Sequence, residues 1–179
     1  MIKVHSIPRG TMSKSIDNIF RGRIPERIVV GLVDNEAFNG AYKKNPFNFQ
    51  NFKLTSCGLI KNNEPLPGRP YQTNFPADGA GEYITAFQSL LTDLSGGCYD
   101  HGNSISRDDY PLGYTLISFD TSPDLCQKTY LDPVTEGDIQ LEFQFGEALT
   151  QTVNVIIYAE FNQLVEINEN REIIHDFNN

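Results

Sequence analysis

Tryptophan is absent from this chain, methionine occurs twice and cysteine three times in 179 residues. The cysteines, Cys57, Cys98 and Cys126, share no recurrent spacing. That argues against a disulfide-rich secreted scaffold and suits reduced thiols in a compartment such as cytosol or nucleus. Basic runs are scarce too. None is longer than Lys43-Lys44, and 14 Lys and Arg stand against 23 Asp and Glu, a formal net charge of -9. Neutralising phosphates needs a basic surface, so direct nucleic-acid binding is not expected. No apolar stretch approaches the ~20 residues of a membrane helix. Residues 1–7 read as a strand, not as a basic segment leading into an apolar run, so neither a membrane span nor a signal peptide is expected.

The signatures of catalysis are equally thin. There is no Gly-x-Ser-x-Gly, and Gly79-Ala80-Gly81 lacks the strand-to-helix context of a dinucleotide fingerprint. Cys98-Tyr99-Asp100-His101 has one Cys-x-x-His spacing but no second pair to complete four zinc ligands. His5, His101 and His175 lie far apart, unlike the clustered histidines of a metal-binding cupin. Asp108, Asp109, Asp120 and Asp124 flank one strand without the alternation of acids and glycine that marks a calcium loop. Solvated loops and helix capping account for them. No enzymatic activity, metal or cofactor is expected.

What is present is β-pattern. Asp138 to Phe145 alternates strictly, placing Ile139, Leu141, Phe143 and Phe145 on one face. In the stretch 152–161, Val153, Val155, Ile157, Ala159 and Phe161 share a face. The opposite face, Asn154, Ile156, Tyr158 and Glu160, is half apolar, as if partly covered by a sheet edge, a loop or another subunit. Residues 27–33 form a β-branched run suited to burial on both faces. Further strands are expected over 4–7, 11–16, 53–60 and 113–119, with shorter ones at 164–167 and 172–174. One helix is expected over 79–94, where Tyr83, Ile84, Phe87, Leu90, Leu91 and Leu94 make an apolar stripe. Asp78 is placed to cap its start and Gly96-Gly97 its end. A helical turn is expected to begin at Ser106. About eight short strands, one inserted helix and no βαβ alternation predict an all-β, jelly-roll β-sandwich in one domain spanning 1–179. Long loops are expected at 34–50 and 66–78.

The 34–50 loop sets Phe38, Tyr42, Phe47 and Phe49 among Asn, Gly and Pro. Aromatics in a non-periodic segment are either pinned onto the core or offered to a partner. Phe38, Asn39, Tyr42, Phe47 and Phe49 are therefore the interface candidates. Aromatic platforms beside Asn and Asp also suit a lectin-like binding module.

Several ordered segments carry a family likeness: Ile7-Pro8-Arg9-Gly10-Thr11, the stretch from Arg27 through Asn45-Pro46-Phe47-Asn48-Phe49, Gly113-Tyr114-Thr115-Leu116 with Phe119-Asp120, and Val153 to Phe161. Together they resemble the hexon-like major capsid proteins of Polinton/Maverick elements and adintoviruses, and capsid-derived proteins of animal genomes look similar. The resemblance spans nearly the whole chain and corresponds to the C-terminal roll of a double jelly roll. It implies a structural role, assembly as a trimer or pseudo-hexamer or with a second jelly-roll domain, and no catalytic residues. The location implied is the virion, or the host cytoplasm or nucleus for a domesticated protein.

Overall fold

Hydrophobic alternation and β-branched runs become strands β1 (Ile2–Ile7), β2 (Ser13–Ile16), β3 (Arg21–Arg23), β4 (Arg27–Asp34), β5 (Leu54–Lys61), β6 (Glu64–Gln72), β7 (Leu116–Asp120), β8 (Glu136–Phe145) and β9 (Val153–Glu160). A small antiparallel hairpin follows, β10 (Val165–Ile167) with β11 (Ile173–His175). The helices are α1 (Asn35–Phe38) and α2 (Ile84–Ser95). The computed structural model describes residues 1–75, 81–95, 104–122, 134–162 and 165–175.

The strands form two antiparallel sheets. One has the order β1-β9-β4-β7; the other has the order β2-β8-β5-β6, with β3 also paired to β8. β2 and β3 are two pieces of one edge, interrupted at 17–20, where Asn18 takes a φ of 52°. Four pairings are nested in sequence: β1 with β9, β2 and β3 with β8, β4 with β7, and β5 with β6. This is a long hairpin rolled up on itself, joined into sheets by β9–β4 and β8–β5. Eight strand positions in that order make a jelly roll.

The core lies between the sheets. Ile139, Leu141, Phe143 and Phe145 of β8 face inward and are buried, as are Val153, Val155, Ile157 and Ala159 of β9. In register, Phe143 lies opposite Cys57 and Leu141 opposite Leu59, while Ile157 lies opposite Val30 and Val155 opposite Leu32. Each fully buried large aliphatic or aromatic side chain contributes roughly 1.5–3 kcal/mol. The Cys57 thiol sits in this apolar layer, and burial pushes its pKa far up, which leaves it protonated and unreactive.

The helix packs on β7 and touches β6, closing the side where those two edge strands part. Tyr83, Leu90 and Tyr110 form a second buried cluster there, with Phe75 stacked on Tyr83 at 5.3 Å and Phe87 edge-on to Tyr110 at 5.3 Å. The Tyr110 hydroxyl donates to the Leu116 carbonyl, 2.8 Å away, tying the cluster to β7. The ordered start of the helix is Ile84, later than the sequence pattern placed it. The proposed caps Asp78, Gly96 and Gly97 lie outside the described residues. Near Ser106 the chain makes a turn and then a short 3-10 helix, Tyr110–Leu112.

One expectation fails. The segment 66–78 was expected to be a loop, yet β6 runs from Glu64 to Gln72 through Pro65, Pro67 and Pro70. Prolines lack the N–H that a central strand must donate, but an edge strand has one side unpaired and accommodates them. A shift in register between Cys57 and Leu59 lets the proline segment bow away from β5. The short β3 was also not expected.

Phe119 is fully buried on β7 and its ring lies 5.2 Å from that of Tyr71. Phe119→Ala is expected to lower the unfolding free energy by about 3–5 kcal/mol. Urea denaturation should show this as a lower midpoint with an unchanged slope.

Candidate interaction surface

The 34–50 loop begins with a local constraint. Asp34 caps α1 by accepting from the Glu36 N–H at 3.1 Å. Lys44 then reaches back across the loop, its ammonium 2.5 Å from Asp34 and 2.6 Å from Glu36. Those two carboxylates, Asp34 first, raise the Lys44 pKa and keep the pin charged. At its other end the loop is stitched into the sheet. The Phe49 N–H donates to the Gly113 carbonyl at 2.8 Å, the Thr115 N–H donates to the Phe49 carbonyl at 2.9 Å, and the Gln50 N–H donates to the Leu32 carbonyl at 3.1 Å.

The aromatic side chains of this loop therefore divide. Phe49 is half-buried over Gly31: a Cβ on that glycine would stand 2.6 Å from the Phe49 ring and 2.8 Å from Leu116. Phe38, Tyr42 and Phe47 are exposed, with Tyr42 at 102% and Phe47 at 74% of full accessibility. Asn39 is exposed at the end of α1. The structure thus pins one of the candidates and leaves four on the surface.

The loop covers only part of the outer face of the four-stranded sheet. On that face, the register sets Ile2 beside Tyr158 and Val29, and Val4 beside Ile156 and Gly31. Ile2, Val4 and Tyr158 are exposed, and Val29 and Ile156 are half-buried. The half-apolar face noted on β9 is thus flanked by exposed apolar residues of β1. Ile2 and Val4 escaped sequence reasoning, although their alternation with Lys3 and His5 was visible. Polar residues usually mark the outward face, and on this edge strand they mark the inward one.

At the open side of the sandwich, between β1 and β2, the Lys3 ammonium donates to the Ile19 carbonyl and lies 5.2 Å from the Phe20 ring centre. His5 follows on the same face of β1. Partial burial lowers its pKa, and the nearby charges of Lys3 and Lys14 lower it further. The remaining acidic candidates tie loops. Asp120 accepts from the Ser122 N–H and hydroxyl, and Asp109 accepts from the Ser106 hydroxyl. Asp108 is exposed in the turn. Cys98, Tyr99, Asp100, His101, Asp124 and Cys126 lie outside the described residues, and for His175 only the strand is described.

No family model matches the chain. The chain is similar to the uncharacterized protein F54H12.2 of Caenorhabditis elegans, with 26% identity over 175 residues. That alignment takes in 95% of this chain and 41% of the worm protein, so the chain spans about two fifths of the length of the curated relative it matches.

Two outcomes are expected from this geometry. Tyr42→Ser and Phe47→Ser should each leave thermal stability within about 0.5 kcal/mol of the parent. Gly31→Val, which drives a branched side chain into Phe49 and Leu116, should cost about 1–3 kcal/mol by overpacking. Chemical denaturation of the three variants distinguishes presented from pinned residues.

His5 supplies a pH dependence. Its folded-state pKa lies below the ordinary 6.5, so the unfolded chain takes up the proton first. The stability it contributes is complete above about pH 6.5 and is lost as pH falls through the lowered folded value. His5→Gln should flatten the fall in melting temperature over that window, and parallel curves for the two proteins would count against this role.

Proposed function

We propose that this chain is a structural building block of viral-capsid type, a jelly roll that works by associating with further copies and not by catalysis. The observation that carries the reading is the apolar surface held outward on one side of a rigid sandwich: Phe38, Tyr42 and Phe47 on a pinned loop, with Ile2, Val4 and Tyr158 on the adjoining sheet. Exposed apolar patches, unlike apolar residues scattered singly, mark interaction sites. The nested strand order supports the same reading, as does the resemblance to hexon-like capsid proteins.

The mechanism is geometric. The jelly roll fixes the relative positions of loop and sheet face, and burying that apolar area stabilises a contact by roughly 25 cal/mol per Å² before the costs of docking. Closed rings such as a trimer or pseudo-hexamer follow when the contact is heterologous and its rotation closes. A capsid-derived module adopted by a host is a second reading, favoured by the nematode origin of the relative.

Light scattering on a size-exclusion column tests the proposal. The mass is expected to rise with concentration to a multiple of the 20.2 kDa protomer. The Tyr42→Ser, Phe47→Ser double variant should shift that rise to at least about tenfold higher concentration, equivalent to a loss of about 1.4 kcal/mol. A parent chain that stays monomeric at all concentrations contradicts it.

A further inference from the structure

The sandwich has four strand edges, and among the described residues three are closed. The edge of β6 carries Pro65, Pro67 and Pro70, which have no N–H to offer. The edge of β7 lies against α2. The β2/β3 edge is broken at 17–20 and turns again at Gly22, with a φ of 85°. Native sheets use such devices to prevent strand addition. β1 has none of these three along Ile2–Ile7, and Pro8 falls just beyond its end; its one guard is the inward-facing charge of Lys3, which is turned onto the Ile19 carbonyl.

Among the described residues, the ladder shows which backbone groups β9 does not take up. Met1 and Ala159 exchange both backbone hydrogen bonds, at 2.7 and 2.8 Å. Antiparallel ladders alternate, so Lys3, His5 and Ile7 direct their backbone groups to β9, while Ile2, Val4 and Ser6 direct theirs away from the sheet. The two faces beside this edge differ in chemistry. Ile2 and Val4 are exposed on the outer face. On the inner face stand Lys3, held by the Ile19 carbonyl, then His5, and Lys14 of β2, the two lysines lying near enough for their charges to act on His5. In a chain of net charge -9, no acidic residue precedes Asp17.

We infer that β1 is a docking edge for an extended segment of another polypeptide in which acidic and apolar residues alternate. Such a segment pairs its backbone with Ile2, Val4 and Ser6. Its apolar side chains lie beside Ile2 and Val4, and its carboxylates face Lys3 and Lys14. Main-chain bonds supply affinity and the alternating side chains supply selectivity, as in other cases of strand addition. This contact shares Ile2 and Val4 with the proposed association surface, but it is made by the β1 backbone edge and not by the loop, and it does not depend on the capsid reading.

The test uses the full chain and a short blocked peptide alternating valine and glutamate. Calorimetry is expected to show binding that weakens with salt, and a valine–lysine peptide of the same length should not bind. Val4→Pro removes an N–H that β9 does not use, and it is expected to weaken binding at least about tenfold. Lys14→Glu alters an exposed side chain on a different strand and should weaken binding by a similar factor without touching β1. Failure of the valine–glutamate peptide to bind overturns the inference, as does binding unaffected by both variants. Dimerisation of the free chain that Val4→Pro abolishes also overturns it, since the edge then receives a second copy.

Discussion

The pairing of β9 between β1 and β4 is the contact on which the rest of this structure depends. It joins the start of the chain to residues more than 150 positions later, as in the hydrogen bonds between Met1 and Ala159. It also brings Val153, Val155 and Ile157 over the core. Such a contact carries a large loop-closure cost, repaid only when both sheets bury their inner faces together. Once it forms, a one-residue slip in the pairings of β8 would turn Ile139, Leu141 and Phe143 from the core to the surface.

That constraint also determines what is left outside. Because β9 is central and half apolar on its outer face, that face needs cover, and the 34–50 loop provides only some of it through Phe49 over Gly31. Ile2, Val4 and Tyr158 remain at the surface. The molecule is accordingly asymmetric. One side of the sandwich is closed by α2 and a proline-bearing edge, whereas the other offers a strand edge without proline or covering helix and an apolar face. The proposed association and the proposed docking edge both follow from this asymmetry.

Much of the fold was legible in the sequence, and where it was not, the reason is physical. The strict alternation of 138–145 and the β-branched run of 27–33 identify β8 and β4 because burial on one face or two leaves a direct pattern. β6 was hidden because Pro65, Pro67 and Pro70 read as a loop unless the strand is known to be an edge. The division among the loop aromatics was hidden as well. What pins Phe49 is the missing side chain at Gly31, close in space through β4 and β7, and no local pattern reports that contact. On β1 the alternation was visible, but which face is outward depends on where Lys3 finds the Ile19 carbonyl.

Amide hydrogen exchange on dilute and concentrated solutions of the chain tests the central claim most directly, since it locates the associating surface instead of only weighing the product. The account predicts that concentration slows exchange in residues 38–48 and leaves β6 and α2 unchanged. Exchange in 38–48 that is independent of concentration, or protection confined to the β6 and α2 side, would contradict it.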